Sequence, residues 1–144
     1  MGAKIRYADV EPGSELPGRT FTIERETLVR YAGASGDFNP IHWNDRFAAE
    51  VGLPGVIAHG MLTMAGAVRI VTDWTGDPGS LLSYTVRFTK PVPVPDDATG
   101  AVLDVRATAA QKLDDAARTV RVDITATNRD QKVLGMARAV VRLA

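Results

Sequence analysis

The sequence predicts an α+β fold, a curved antiparallel sheet of about five strands wrapped around one long buried helix. Three observations carry this. Beyond residue 80, apolar side chains recur at every second position through four successive segments, the period of strands with one dry and one wet face. Between His59 and Trp74 the chain instead carries Met61, Leu62, Met64, Ala65, Ala67, Val68, Ile70, Val71 and Trp74, with few polar residues on any side. A helix apolar nearly all round is a buried helix. A single sheet has one apolar face to cover, and this helix is the only candidate to cover it.

In chain order, the first 18 residues, with Pro12, Gly13, Pro17 and Gly18, read as a loop-rich entry. Arg19 to Arg25 alternates, with Phe21 and Ile23 facing one way and Thr20, Thr22 and Glu24 the other, a half-buried strand. Glu26 to Ala34 reads as a short helix with Leu28, Val29, Tyr31 and Ala32 on its apolar side, ended by Gly33 and Gly36. Asn44 can cap a second short helix, Asp45 to Val51, with Asp45 in the first turn where the helix dipole favours negative charge. The long helix begins at His59 or Gly60 and ends at Gly76 and Pro78. Its roughly 15 residues span about 22 Å, enough to cross a small domain. Leu82, Tyr84, Val86 and Phe88 form the inner face of the next strand. Pro91, Pro93 and Pro95 then exclude a central strand. Ala101 to Ala107, Val120 to Ala126 and Ala137 to Leu143 alternate cleanly, with Val140 on the wet face of the last. Links at Asp96-Asp97, Asp114-Asp115 and residues 128–131 separate them. The open edges of such a sheet can pair with a second subunit, so a dimer is expected.

Composition narrows the chemistry. The chain has 144 residues, enough for one domain with a real core. Lys plus Arg is 17 and Asp plus Glu is 17. That balance, with arginines alternating along strands as solvated faces, argues against nucleic-acid binding. There is no cysteine, which excludes disulfides, Cys-based metal sites and a Cys nucleophile. Only His42 and His59 are present, so an all-histidine zinc site is excluded too. No apolar stretch reaches signal-peptide or membrane-spanning length, Arg69 interrupting the longest. The expectation is a cytoplasmic protein.

The densest polar cluster is Tyr31 to Asn44, YAGASGDFNPIHWN. Asp37 and His42 lie five residues apart across Asn39-Pro40. A loop folded sharply between them could bring both side chains to one water for general acid–base work. The same residues also suit a purely structural role. Asp37 could form an Asx-turn, Asn39 could cap a turn with Pro40 at its first position, and His42 could be a satisfied core side chain. A second cluster is AHGMLTMAG, Ala58 to Gly66. Gly60 sits where the long helix should begin, and a helix start offers unpaired N–H groups and a positive dipole end. It could hold an oxyanion there, or be only a tight turn with His59 as a cap.

Together these segments resemble the MaoC-like, or hydratase-2, branch of the hot-dog fold. The resemblance rests on G-D-x-N-P-[apolar]-H in YAGASGDFNPIHWN, then GVIAHGMLTMAG, then VRFTKPVPVPDD, and covers nearly the whole chain, so residues 1–144 are expected to be one hot-dog domain. Within that branch, NPIHWND, IAHGMLTM and WTGDPG look most like the catalytic subunit of mycobacterial-type (3R)-hydroxyacyl-ACP dehydratases. The resemblance implies that Asp37 and His42 are a catalytic dyad, that Asn39 supports it and Ser35 is an accessory, and that the Gly60 N–H binds the thioester carbonyl oxygen. It implies reversible hydration of a trans-2-enoyl thioester, carried by coenzyme A or acyl carrier protein, to the (3R)-hydroxyacyl thioester in fatty-acid metabolism. His42 is expected as base and Asp37 as the orienting or proton-donating partner. No metal and no cofactor is implied. The chain would be a homodimer, or a heterodimer with a non-catalytic hot-dog subunit.

Two rival readings stand beside it. Hot-dog thioesterases place an acidic residue on the buried helix, where this chain offers only Asp73 at the far end. A non-catalytic acyl-binding subunit would lack the dyad that is present here. Met61, Met64, Val68 and Val71 are candidates to line an acyl pocket, since Met and Val fill irregular apolar gaps, or are plain core. Trp43 and Trp74 read as core or pocket wall.

Overall fold

The computed structural model describes residues 2–144. Seven strands form one antiparallel sheet. They are β1 (Ser14–Glu15), β2 (Arg19–Ile23), β3 (Leu81–Phe88), β4 (Ala101–Asp114), β5 (Thr119–Asn128), β6 (Gln131–Lys132) and β7 (Leu134–Arg142). The order is β1-β4-β5-β7-β3, with β2 also paired to β4 and β6 to β5. Three helices, α1 (Arg25–Ser35), α2 (Asp45–Glu50) and α3 (Gly60–Thr75), fall between β2 and β3. No helix among the described residues is long and apolar enough to cross a membrane.

Alternation sets which face is dry. On β4 the buried residues are Ala101, Leu103, Val105, Ala107 and Ala109; on β5 they include Val120, Val122, Ile124 and Ala126. Register stacks them, Val105 opposite Ala126 and Val122 opposite Ala139. Against this face lies α3, contributing Ala67, Ile70 and Val71 to the same core and touching β3, β4, β5 and β7. Alanines at 107, 109, 126, 137 and 139 keep the inner face shallow, so a helix can lie close to it. A sheet curled around one helix is the hot-dog arrangement that the sequence led us to expect.

Two expectations need correction. The long helix is not buried all round. Its sheet-facing side is closed, but Met61, Ala65, Arg69 and Asp73, at i, i+4 spacing, form an exposed stripe in the single chain. On β3, Leu82 and Phe88 do not share an inner face with Tyr84 and Val86. Irregularities in the pairing with β7, between Leu81 and Ser83 and between Thr85 and Arg87, turn Leu81 inward and leave Leu82 and Phe88 exposed. A bulge adds one residue and reverses the parity of everything beyond it. Within the loop-rich first 18 residues, β1 pairs with β4 through Ser14 and Glu15.

The segment between α1 and α3 is tied at its base. Arg25 donates from Nε to the Val94 carbonyl at 2.6 Å and makes two bonds, 3.1 and 2.9 Å, to the Asp45 carboxylate. Asp45 Oδ1 also accepts from Val56 N–H at 3.3 Å. The guanidinium holds this carboxyl below the usual carboxylate range. One fork thus joins the start of α1, the start of α2 and the run-up to α3.

Candidate active site

Helix α1 ends on Gly36, whose φ of 77° is left-handed and whose N–H caps the Ala32 carbonyl at 2.9 Å. Only glycine takes that conformation at little cost. The chain turns sharply there into a ladder of local bonds. Ser35 Oγ accepts from Asp37 N–H at 3.2 Å, Asp37 Oδ1 from Asn39 N–H at 3.1 Å, and Asn39 Oδ1 from Ile41 N–H at 3.2 Å. Pro40 opens a single 3-10 turn, Pro40–His42. Trp43 Nε1–H closes the loop onto the Phe38 carbonyl at 2.9 Å. The Asx-turn and the cap that sequence allowed as purely structural devices are therefore both formed. They are also what folds Asp37 back toward His42. Ser35 and Asn39 act on the backbone of this loop, each through the bond just named.

The result is Asp37 Oδ2 at 3.7 Å from His42 Nε2. That is too long for a hydrogen bond, yet one water oxygen at about 2.8 Å from each atom fits between them. His42 is buried and Asp37 half exposed, so the pair sits where solvent meets the interior. His42 Nδ1 lies 2.7 Å from the Ile57 carbonyl. A carbonyl only accepts, so Nδ1 carries the hydrogen and Nε2 presents its lone pair toward Asp37 in the neutral ring.

A cleft of about 480 Å³ opens at the start of α3, lined by Asp37, His42, Gly60, Met61, Thr63 and Phe88 among mostly apolar neighbours. That size suits a small-molecule site. Gly60 is the first residue of α3, and the first N–H groups bonded back to the His59 carbonyl are those of Leu62 and Thr63, at 3.1 and 3.2 Å. The Gly60 N–H precedes them, at the positive end of the helix dipole. A Cβ at Gly60 would stand 3.0 Å from the Phe88 ring, so glycine keeps this helix start free of a side chain beneath that ring.

Of the four acyl-pocket candidates only Met61 lines the cleft. Val71 is fully buried in the core and Val68 packs against it, while the Met64 carbonyl accepts the Tyr84 hydroxyl at 3.1 Å. The cleft lies at the N-terminal end of α3, and each turn along the helix moves a side chain about 5.4 Å away from it. Sequence reasoning did not single out Phe88 or Thr63 as lining residues. The Thr63 hydroxyl is buried at the cleft wall with no partner among the described residues.

His59, which the sequence offered only as a cap, stands at the N-cap of α3 but makes no side-chain cap bond. It is 1% exposed, stacks on His42 with ring centroids 3.8 Å apart and planes 22° apart, and meets the Tyr31 ring edge-on at 4.7 Å. Its Nε2 is 3.1 Å from the Asp37 carbonyl, so Nε2 carries the hydrogen. Nδ1 is buried without a partner among the described residues, a state that costs about 1–3 kcal/mol. Burial, with the neighbouring His42, pushes the His59 imidazole below its ordinary range. Folding thus favours the neutral ring more than the unfolded chain does. The unfolded chain therefore binds more protons as pH falls below about 6.5, and the stability present above that pH is lost below it. Thermal midpoints of the wild type and His59→Phe should thus diverge, in favour of the variant, between pH 7.5 and 5.5. A constant difference across that range would refute this.

Asp37, His42 and His59 bring donor atoms within 4.8 Å of one another, the spacing of a metal cluster. Their orientation does not suit one. Imidazole lone pairs lie in the ring plane, and two nearly parallel rings 3.8 Å apart do not aim at a common point. The arrangement suits a water held between a carboxylate and a neutral imidazole, with a backbone donor across an apolar cleft.

Comparison with known proteins agrees with this fold. The MaoC-like domain matches residues 9–127. The 3-hydroxyacyl-thioester dehydratase X of Mycobacterium tuberculosis is 40% identical over 88 residues, which are 61% of this chain and 30% of that protein. A solved MaoC-like dehydratase superposes with a TM-score of 0.94 at 40% identity, over 99% of this chain and 43% of that one. The R-hydratase PhaJ1 from Pseudomonas aeruginosa gives 0.80 at 30% identity, over 96% of this chain and 86% of its own. The match thus covers only 30% of the mycobacterial relative's length. With the match running through β1 to β5 and across every site residue named above, the chain belongs to the MaoC-like domain family.

Proposed function

We propose that this protein adds water reversibly to a trans-2-enoyl thioester to give the (3R)-hydroxyacyl thioester. The observation that carries the proposal is the 3.7 Å gap between Asp37 Oδ2 and His42 Nε2 at the wall of an apolar cleft. Water is a poor nucleophile, so a base must take a proton from it as it attacks. In hydration the Nε2 lone pair of His42 removes that proton while Asp37 Oδ2 accepts the other hydrogen and aims the oxygen. The water oxygen bonds to C3, and the C2–C3 π pair moves toward the thioester carbonyl. Negative charge collects on the carbonyl oxygen, where the Gly60 N–H and the α3 dipole stabilise it. The proton gained by the dyad then passes to C2, so the product gains one water and the dyad returns to its starting state. Asn39 and Ser35 keep the Asp37 loop in register. Met61 and the apolar wall hold the first part of the acyl chain.

The relatives supply independent support, because an R-hydratase and a 3-hydroxyacyl-thioester dehydratase are both named among them. The acyl group is carried by coenzyme A or acyl carrier protein. The exposed α3 stripe and the open edge of β3 favour assembly with a second hot-dog unit, either another copy or a non-catalytic subunit.

The test is the absorbance of conjugated enoyl-CoA mixed with the purified chain, over short and long acyl lengths. Loss of the conjugated band with (3R)-hydroxyacyl product is expected. Free thiol release would instead identify a thioesterase. Binding without turnover at any length, with coenzyme A or protein carrier, would identify an acyl-binding subunit.

A further inference from the structure

His59 takes no part in the proton transfers proposed above, yet it touches every element that performs them. Its Nε2–H reaches the Asp37 carbonyl at 3.1 Å, its ring face lies 3.8 Å from that of His42, and its backbone leads directly into Gly60 at the start of α3. The Tyr31 edge closes the other side of the ring at 4.7 Å. We propose that His59 is a positioning residue that fixes the Asp37 loop, the His42 ring and the helix start in one arrangement. The inference rests on the hydratase reading for its kinetic consequence, though not for its geometry.

The rival explanation is packing, in which any flat ring would serve. The orphaned Nδ1 speaks against it. A phenylalanine fills the same slot and leaves no buried nitrogen unpaired, so packing alone disfavours the histidine. What phenylalanine lacks is the Nε2–H that holds the Asp37 carbonyl. Through that bond the imidazole ties the carboxylate-bearing residue to the ring stacked on His42. A misplacement of about 1 Å between reacting groups can cost on the order of 100-fold in rate.

His59→Phe should therefore stay folded, with a thermal midpoint at or above that of the wild type. Its kcat on enoyl-CoA should fall roughly 10- to 100-fold, with KM changed less than about threefold. His59→Gln, which restores an N–H donor, should recover part of the loss. A His59→Phe variant with wild-type kcat would overturn the proposal. So would imidazole nitrogen NMR of the wild type showing His59 with its hydrogen on Nδ1 at neutral pH. If the wild type turns over no enoyl thioester, the hydratase reading fails instead. The positioning role is then judged by NMR, where unshifted Asp37 and His42 signals in His59→Phe would refute it.

Discussion

Asp37→Asn should yield a folded protein whose turnover falls by about 10²- to 10⁴-fold. The substitution is nearly isosteric at a half-exposed side chain. An asparagine oxygen can still accept from Asn39 N–H, so the Asx-turn survives and the loop keeps its course. What is lost is the second acceptor facing His42 and the negative charge that aims the water. His42→Ala should remove a comparable share of activity by deleting the proposed base, with a fold cost besides. It empties a buried site and leaves the Ile57 carbonyl without its ring N–H partner, about 1–3 kcal/mol from the unpaired group. Steady-state hydration rates, with circular dichroism to confirm folding, check both. A near-normal rate in either variant would remove that residue from the dyad.

The second large effect concerns a hydrogen bond that no side chain makes. Gly60→Pro deletes the N–H at the first residue of α3 and little else of the helix. Proline is favoured at that position because its N–H would be unpaired within the helix anyway. His59 already has φ −58° and ψ 129°, the extended conformation that a residue before proline adopts. Losing one preorganised donor to a developing oxyanion typically costs about 10²- to 10³-fold in kcat. Gly60→Ala is the control, since it adds a Cβ 3.0 Å from the Phe88 ring yet keeps the N–H. Phe88 is exposed and can give way, so the alanine variant should lose less than about tenfold. If alanine and proline are equally damaging, space beneath Phe88 matters and the N–H does not. If neither matters, the oxyanion lies elsewhere.

Much of this architecture was legible before any coordinates. Period-two alternation from Leu103 through Val141 marks strands with one dry face, because a pleated backbone sends successive side chains to opposite sides. The run from Gly60 to Trp74 marks the helix that must cover that face. The spacing of Asp37, Asn39, Pro40 and His42 carried both the local turns and the chance of a dyad. The same turns bring the two side chains to 3.7 Å from one another.

Other features were decided only by the third dimension. The bulges of β3 exchange Leu81 for Leu82 on the inner face, and their positions depend on how β7 pairs alongside. Met61 was separable from Met64, Val68 and Val71 only once the cleft was found at the N-terminal end of α3, since all four share similar helical phase. His59 lies 17 residues after His42 and 22 after Asp37 in the chain, and no periodicity relates such positions. Local sequence thus determined the elements, their dry faces and the dyad candidates, because those follow from steric preferences and hydrogen bonds within a few residues. The stacking of His59 under His42, the 3.7 Å gap and the cleft that gives them a use arise from packing between distant segments, and only the assembled chain decides that packing.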